Sequence, residues 1–122
     1  MKTRFNVIQV GLGAIGRQIS KLLIERENID LIGVVDINPN LVDEELIEIL
    51  DLPTGPKIKI ESDLQKLLNQ KQADVVIILT SSSLRKVSSI IIEAVKAGSN
   101  VISICEELSY PFEYFPKISK EI

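Results

Sequence analysis

The chain has 122 residues, of which 45% are hydrophobic and 25% are charged, and its formal net charge is −3. This size and balance are typical of one soluble globular domain with its own core. The mildly acidic charge and the absence of a Lys/Arg-rich run argue against nucleic-acid binding, and no apolar run approaches the length of a membrane span. The single cysteine, Cys105, cannot form an intrachain disulfide, and there is no histidine. We therefore expect a cytoplasmic protein without a metal site.

The first half of the chain alternates between strand and helix patterns. Phe5 to Val10 predicts a buried strand, and Ala14 to Glu27 predicts a helix with one apolar face. Leu31 to Asp36 predicts a second strand, rich in Ile and Val. Asn38-Pro39-Asn40 indicates a turn, and Val42 to Leu50 indicates a short acidic helix.

The second half continues the alternation after a Pro/Gly loop at 52–56. Its expected elements are a short strand at Ile58 to Ile60, a helix capped by Ser62-Asp63 and running to about Asn69, an aliphatic strand at Asp74 to Leu79, a helix at Leu84 to Ala97 ended by Gly98, a strand at Asn100 to Ile104, and a loop followed by a helix within Cys105 to Ile122.

A G-x-G-x-x-G sequence, Gly11-Leu12-Gly13-Ala14-Ile15-Gly16, joins the first strand to the first helix. Gly11 permits a tight turn, Gly13 lets the backbone approach a pyrophosphate, and Gly16 allows the helix to pack closely on the strand. The start of the helix directs free N–H groups and its positive dipole end at the phosphates. We predict that all six residues contact a dinucleotide; the alternative is a turn that binds no ligand. Arg17 either reaches a phosphate or lies on the helix surface.

The second strand ends in an acid, Asp36, about twenty residues after the glycine loop, which is the spacing of a residue that binds the adenosine ribose. A carboxylate there accepts hydrogen bonds from the ribose hydroxyls and repels a 2′-phosphate. The pattern therefore favours NAD over NADP, although NADP stays possible. Ile37 follows Asp36 and is expected to contact the cofactor. The alternative role for Asp36 is to cap the turn that follows.

Strands separated by helices, with this loop between the first pair, predict an α/β fold of Rossmann type, which is a doubly wound parallel sheet with helices on both faces. The whole chain, residues 1–122, is interpreted as a dinucleotide-binding domain. Because the sequence stops within a helical pattern, we expect it to be the amino-terminal fragment of a longer enzyme, with the substrate domain elsewhere.

Small hydroxyl residues follow the strand at Asp74 to Leu79, at the sheet edge where α/β proteins bind ligands. Thr80, Ser81 and Ser82 are expected to contact the cofactor, and Ser82 or Ser83 can also cap the next helix. Cys105, Glu106 and Glu107 follow the last strand; a carboxylate there either faces the nicotinamide or substrate, or is solvated. A nucleophilic Cys105 lacks a histidine to activate it. The catalytic residues stay unassigned.

Several of these stretches resemble a known family. The run from Gly11 to Arg17, the segment Ile32-Gly33-Val34-Val35-Asp36 with Pro39 nearby, and Ala73-Asp74-Val75-Val76 leading to Thr80-Ser81-Ser82 are similar to the amino-terminal domain of dihydrodipicolinate reductases and their relatives. The stretch from Ala97 to Ser103, followed by Glu106-Glu107-Leu108-Ser109-Tyr110-Pro111, resembles the branch of 2,4-diaminopentanoate dehydrogenases.

The resemblance covers essentially the whole chain and implies the NAD(P)-binding domain of an oxidoreductase. It implies oxidative deamination of an amino-acid substrate, in which hydride passes to NAD(P)+ and water hydrolyses the imine. In this family a second domain completes the substrate site and usually the subunit interface, so the isolated fragment is expected to bind cofactor without turnover and the whole enzyme to be a homo-oligomer. Two alternatives stay open: a dihydrodipicolinate reductase or aspartate/homoserine dehydrogenase relative, and a non-catalytic NAD-sensing module.

Overall fold

Helices separate the parallel strands along the described part of the chain. The structure, a computed structural model, describes residues 4–79 and 84–103. The elements in this part are β1 (Phe5–Val10), α1 (Ala14–Glu25), β2 (Ile29–Val35), α2 (Leu46–Ile49), α3 (Leu64–Gln70), β3 (Val75–Ile78), α4 (Leu84–Lys96) and β4 (Asn100–Ser103).

The four described strands form one parallel sheet in the order β2-β1-β3-β4. β1 is central because it pairs with β2 on one side and with β3 on the other. The chain moves from β1 to one neighbour and later crosses to the other, so the strand order switches direction beside the carboxyl end of β1. Open α/β sheets bind their ligands at such a switch point.

Helices cover both faces of the sheet, and each face has its own apolar core. Val7 and Ile8 are adjacent in β1 and both buried, yet they belong to different clusters because neighbouring strand residues point to opposite faces. The Val7 face packs against Leu23 of α1 and against α2. The Ile8 face packs against α3 and against Ile91 of α4. The expected Rossmann-type α/β class is confirmed.

Of two predicted elements between β2 and α3, one is shorter than expected and the other is wrong. The helix expected at Val42 to Leu50 is reduced to α2, and Asp43 adopts a left-handed conformation, with φ 68°. The strand expected at Ile58 to Ile60 is absent; only isolated bridges form, between Glu45 and Lys59 and between Val35 and Glu61. The physical reason is that the two segments hydrogen-bond to each other: Asp43 N–H donates to Ile60 O (2.8 Å) and Ile60 N–H to Glu44 O (3.0 Å).

The first predicted strand has the observed bounds, and the other predicted elements differ from the observed ones by at most two residues at their described ends, which is the usual uncertainty of helix and strand boundaries. Asp63 caps α3 as expected, because its side chain accepts a hydrogen bond from Gln65 N–H. Gly98 follows α4 with φ +88°, the left-handed conformation expected of it. The loop and helix predicted within Cys105 to Ile122 lie outside the described residues.

The opposite edge of the sheet, at the amino ends of β1 and β2, carries an exposed ion pair. Arg4 donates to Asp30, with Nε 3.1 Å from Oδ2, and this hydrogen bond lowers the pKa of Asp30 below its ordinary value. Within residues 4–79 and 84–103, none of the helices is long and apolar enough to cross a membrane.

Candidate cofactor-binding site

The glycine loop leaves β1 through a conformation that favours glycine. Gly11 has φ 104°, a region that a residue with a Cβ atom rarely adopts. Its N–H donates to Val35 O at the end of β2, with a distance of 2.7 Å. The loop is thereby fixed to the carboxyl ends of the two neighbouring strands.

Gly13 and Gly16 differ in what surrounds them. A Cβ atom added to Gly13, the N-cap of α1, would meet nothing within 4 Å, so the space in front of the loop is open. A Cβ atom added to Gly16 would lie 2.5 Å from Gly11 O. Gly16 is therefore required by packing inside the protein, whereas Gly13 faces outward and leaves room for a ligand.

The carboxylate of Asp36 connects this loop to the turn after β2. Its Oδ2 accepts a hydrogen bond from Leu12 N–H (2.7 Å) and its Oδ1 accepts one from Asn38 N–H (2.9 Å). The second contact is the turn-capping role that the sequence left as an alternative. Each carboxylate oxygen has a further lone pair, so capping is compatible with accepting a ribose hydroxyl.

A cavity of about 650 Å³ lies along the carboxyl edge of the sheet, beside the glycine loop and Asp36. This volume falls within the range of cofactor sites, roughly 300–1,000 Å³. The lining consists of residues from the loop, the strand ends, α3 and α4: Val10, Gly11, Leu12, Gly13, Val35, Asp36, Ile37, Ser62, Asp63, Leu64, Leu79, Ile90 and Glu93.

Five of the predicted cofactor residues line this cavity: Gly11, Leu12, Gly13, Asp36 and Ile37. The Ile37 side chain is 84% exposed, so its apolar surface is available to a ligand. Ala14 and Ile15 begin α1 and are exposed, and Gly16 is buried behind the loop.

The predicted contacts from Thr80, Ser81 and Ser82 lie outside the described residues, as does the proposed cap at Ser83. Leu79, which immediately precedes them, lines the cavity. The segment Cys105-Glu106-Glu107 also lies outside the described part of the chain.

Arg17 lies against the glycine loop, because its Nε donates to Leu12 O at 3.3 Å. This contact holds the Arg17 guanidinium against the backbone of the loop. The predicted contact of Arg17 with a phosphate stays a prediction.

Sequence reasoning did not assign Ser62, Asp63, Leu64, Ile90 or Glu93 to the site, although the structure brings them to it. Asp63 was recognised only as a helix cap, and Glu93 is one of several charged residues on α4. Their chain positions carry no motif, and only the packing of α3 and α4 against the sheet brings them to the cavity. Gln9 was also missed, although a buried amide in an apolar strand is an available signal.

Among the described residues that line the cavity, every charged side chain is acidic. Asp36, Asp63 and Glu93 contribute carboxylates, and neither Lys nor Arg is among the described residues that line it. A group with additional negative charge is therefore disfavoured here, since like charges repel.

The parallel sheet, the glycine loop at its switch point and the acid at the end of β2 define a Rossmann-type α/β domain. Residues 5–103 match the family model described as "Dihydrodipicolinate reductase, N-terminus", and the chain belongs to this family.

Individual proteins are similar over most of the chain. A 2,4-diaminopentanoate dehydrogenase from Acetoanaerobium sticklandii is 31% identical over 120 residues, which is 98% of this chain and 34% of that protein. The structure of an amine dehydrogenase from Mycobacterium smegmatis matches with a TM-score of 0.89 at 23% identity, over 96% of this chain and 34% of that one. A scyllo-inositol dehydrogenase from Lactobacillus casei with bound NAD(H) matches with a TM-score of 0.61 at 19% identity, over 82% and 27% of the two chains. The chain thus spans about a third of the length of these relatives.

Proposed function

We propose that this domain binds NAD(H) in the cleft at the carboxyl edge of the sheet. The observation that carries the proposal is the open space in front of Gly13, next to a carboxylate held by the same loop. The pyrophosphate would lie over Gly13 and the start of α1, where N–H groups and the helix dipole favour an anion. Asp36 would accept hydrogen bonds from the adenosine ribose, and Ile37 would contact the adenine side of the cofactor. Thr80, Ser81 and Ser82 are proposed to contact the nicotinamide half.

The proposal includes a preference for NAD over NADP. The 2′-phosphate of NADP would approach Asp36 in a cleft whose described lining contains two further acids, Asp63 and Glu93. Family membership and the NAD(H)-bound relative support a nicotinamide cofactor in general. The acidic lining favours the cofactor without the additional phosphate.

Titration of the protein with NADH and NADPH, followed by cofactor fluorescence or calorimetry, tests this site. We expect saturable binding of NADH and weaker binding of NADPH. If neither cofactor binds at millimolar concentration, the proposed site is wrong. If NADPH binds more tightly, the acidic lining does not set the preference.

We further propose that this chain is the cofactor-binding domain, residues 1–122, of an amino-acid dehydrogenase that has a separate substrate domain. In the proposed reaction, bound NAD+ accepts hydride from the amine carbon of the substrate, and water then hydrolyses the imine to a ketone and ammonia. The names of the 31% identical relative and of the amine dehydrogenase support this reaction class. The role of the present residues is to bind and orient the cofactor.

Assay of the full polypeptide that carries this domain separates the candidate reactions. Formation of NADH in step with ammonia from 2,4-diaminopentanoate would support the dehydrogenase. Oxidation of NAD(P)H by dihydrodipicolinate would instead favour the reductase suggested by the family description. Cofactor binding without either reaction would favour an NAD-sensing module. A cytoplasmic homo-oligomer is proposed for the intact enzyme, testable by fractionation and light scattering.

A further inference from the structure

Gln9 places a polar side chain inside the apolar core beneath the glycine loop. It lies in β1 and is 0% exposed. Its Nε2 donates to Gly11 O and to Gly16 O, both at 2.8 Å, and its Oε1 accepts a hydrogen bond from the Ser20 hydroxyl at 2.8 Å. Both amide N–H groups and the amide oxygen are therefore used.

A buried amide is tolerated only when its hydrogen bonds are made, whereas an apolar side chain at this position would need no hydrogen bonds. The bonds of Gln9 join the first glycine of the loop to the third. They span the tightest contact in the site, where Gly16 lies directly against Gly11 O. The side chain thus fixes the geometry of the loop from behind.

The carbonyl of Gly11 and the N–H of Leu12 belong to one peptide group. In a planar trans peptide these two groups point in opposite directions. Because Gln9 draws the Gly11 carbonyl into the core, the Leu12 N–H points out of it, and there it donates to Asp36 Oδ2 at 2.7 Å. A continuous chain of hydrogen bonds therefore runs from Ser20 through Gln9 and this peptide to Asp36.

We propose that Gln9 is a positioning residue of the cofactor site, and that it acts through the Gly11–Leu12 peptide to hold the Asp36 carboxylate toward the adenosine ribose. This inference rests on the proposed binding of NAD(H). Gln9 is buried and does not itself reach the cofactor. Because the proposed route runs through the Gly11–Leu12 peptide to Asp36, the effect of Gln9 on affinity depends on Asp36 being present.

A double-mutant cycle tests this dependence. Gln9→Met keeps a side chain of similar length but removes both donors. We expect it to weaken NADH binding about tenfold in the wild-type background, and to have little further effect in an Asp36→Ala background. Val76→Ala, a change in the buried part of β3 away from the loop, is the control; it lowers stability but leaves NADH affinity unchanged.

If Gln9 only filled space in the core, the effects of Gln9→Met and Asp36→Ala on affinity would multiply, and that result would overturn the inference. Should Gln9→Met fail to fold, Ser20→Ala takes its place in the cycle, because it removes the hydroxyl that anchors Oε1 and leaves the amide donors in place. A loss of NADH affinity that is smaller than that of Gln9→Met and disappears in the Asp36→Ala background supports the inference. An equal loss with and without Asp36 contradicts it.

The wild-type titration distinguishes the two proposals. Absence of NADH binding by the wild-type protein would refute the proposed function and this inference together. Normal NADH binding that Gln9→Met leaves unchanged would refute only the role of Gln9.

Discussion

At the scale of single residues, the three glycines of the loop have different physical reasons to be glycine. Gly11 has a left-handed backbone, Gly16 lies against a carbonyl, and Gly13 borders open space. The fold therefore requires glycine at positions 11 and 16. At position 13 the fold does not require glycine, but a bound ligand would. This difference separates an effect on folding from an effect on binding.

Substituting alanine at Gly16 should destabilise the fold, whereas substituting alanine at Gly13 should leave its stability nearly unchanged. Gly16→Ala forces a Cβ atom against Gly11 O, and we expect a loss of roughly 1–3 kcal/mol in the free energy of unfolding, as for an overpacked core. Gly13→Ala should change that free energy by less than about 1 kcal/mol, since its φ of −77° suits alanine. Denaturant titration measures both.

The same pair of variants tests the position of the phosphate. Gly13→Ala should weaken NADH binding although the domain stays folded, because the added methyl group occupies the space proposed for the pyrophosphate. If Gly13→Ala binds NADH as the wild type does, the pyrophosphate does not pass over this residue.

A substitution of Asp36 distinguishes the two roles proposed for its carboxylate, which are selection of the cofactor and capping of the turn. Asp36→Ala removes the acceptor for ribose hydroxyls and the charge that opposes a 2′-phosphate. We expect the preference for NADH over NADPH to narrow about tenfold, the effect of losing a charged hydrogen bond. Comparing the two dissociation constants measures this ratio.

The control for this variant is Asp63→Asn, which removes another charge of the cavity lining and preserves helix capping, because asparagine is as good an N-cap as aspartate. It should leave NADH affinity unchanged and improve NADPH affinity modestly. If Asp36→Ala leaves the ratio of the NADH and NADPH dissociation constants unaltered, the role of this carboxylate is to accept the hydrogen bonds of Leu12 and Asn38.

At the scale of elements, the region between β2 and α3 shows where local pattern and tertiary pairing compete. The acidic residues around Val42 to Leu50 have a helical pattern, but residues 43–46 bond to residues 58–60 instead. The left-handed conformation of Asp43 turns the chain so that this pairing can form. The segment at 59–61 lies next to the end of β2, where it carries Ser62 and Asp63 to the cleft.

The backbone of Asp43 gives a test at this scale. A left-handed conformation is unfavourable for a residue with a Cβ atom by roughly 1 kcal/mol, and glycine avoids this penalty. The free energy of unfolding of Asp43→Gly should therefore be about 1 kcal/mol higher than that of Asp43→Ala. Thermal or urea denaturation of the two variants measures the difference. Equal stabilities would mean that Asp43 does not have this conformation in solution.

At the scale of the whole molecule, the site is composed of parts that are far apart in the chain. The glycine loop, the end of β2, the start of α3 and the middle of α4 meet only because the strands lie in the order β2-β1-β3-β4. A ligand in this cleft contacts both halves of the described structure, so its binding should stabilise the fold as a unit.

Ligand linkage gives the prediction at this scale. NADH at a hundred times its dissociation constant should raise the free energy of unfolding by about 2.7 kcal/mol, because it binds the folded state alone. Calorimetry should show the unfolding temperature rising with NADH concentration. NADPH at the same concentration should raise the unfolding temperature less. An unfolding temperature that does not change with NADH concentration would contradict binding to the folded domain.

The sequence by itself determined the features that depend on neighbouring residues: the apolar strands, the helix that begins at Ala14, the glycine turn, the Asp63 cap and the end of α4 at Gly98. These are local because dihedral preference, capping and apolar periodicity act over a few residues. The fold class and the predicted positions of Gly11, Gly13 and Asp36 in the cleft could be read in the same way.

Only the tertiary structure decided which distant groups become partners. It paired residues 43–46 with 58–60 and brought Asp63 and Glu93 to one cavity. Such contacts join residues whose separation along the chain leaves no pattern, and they form because buried polar groups must be satisfied and apolar faces must pack. The glycine loop indicates where a dinucleotide would lie, and the packing around it determines the charge and rigidity of that site.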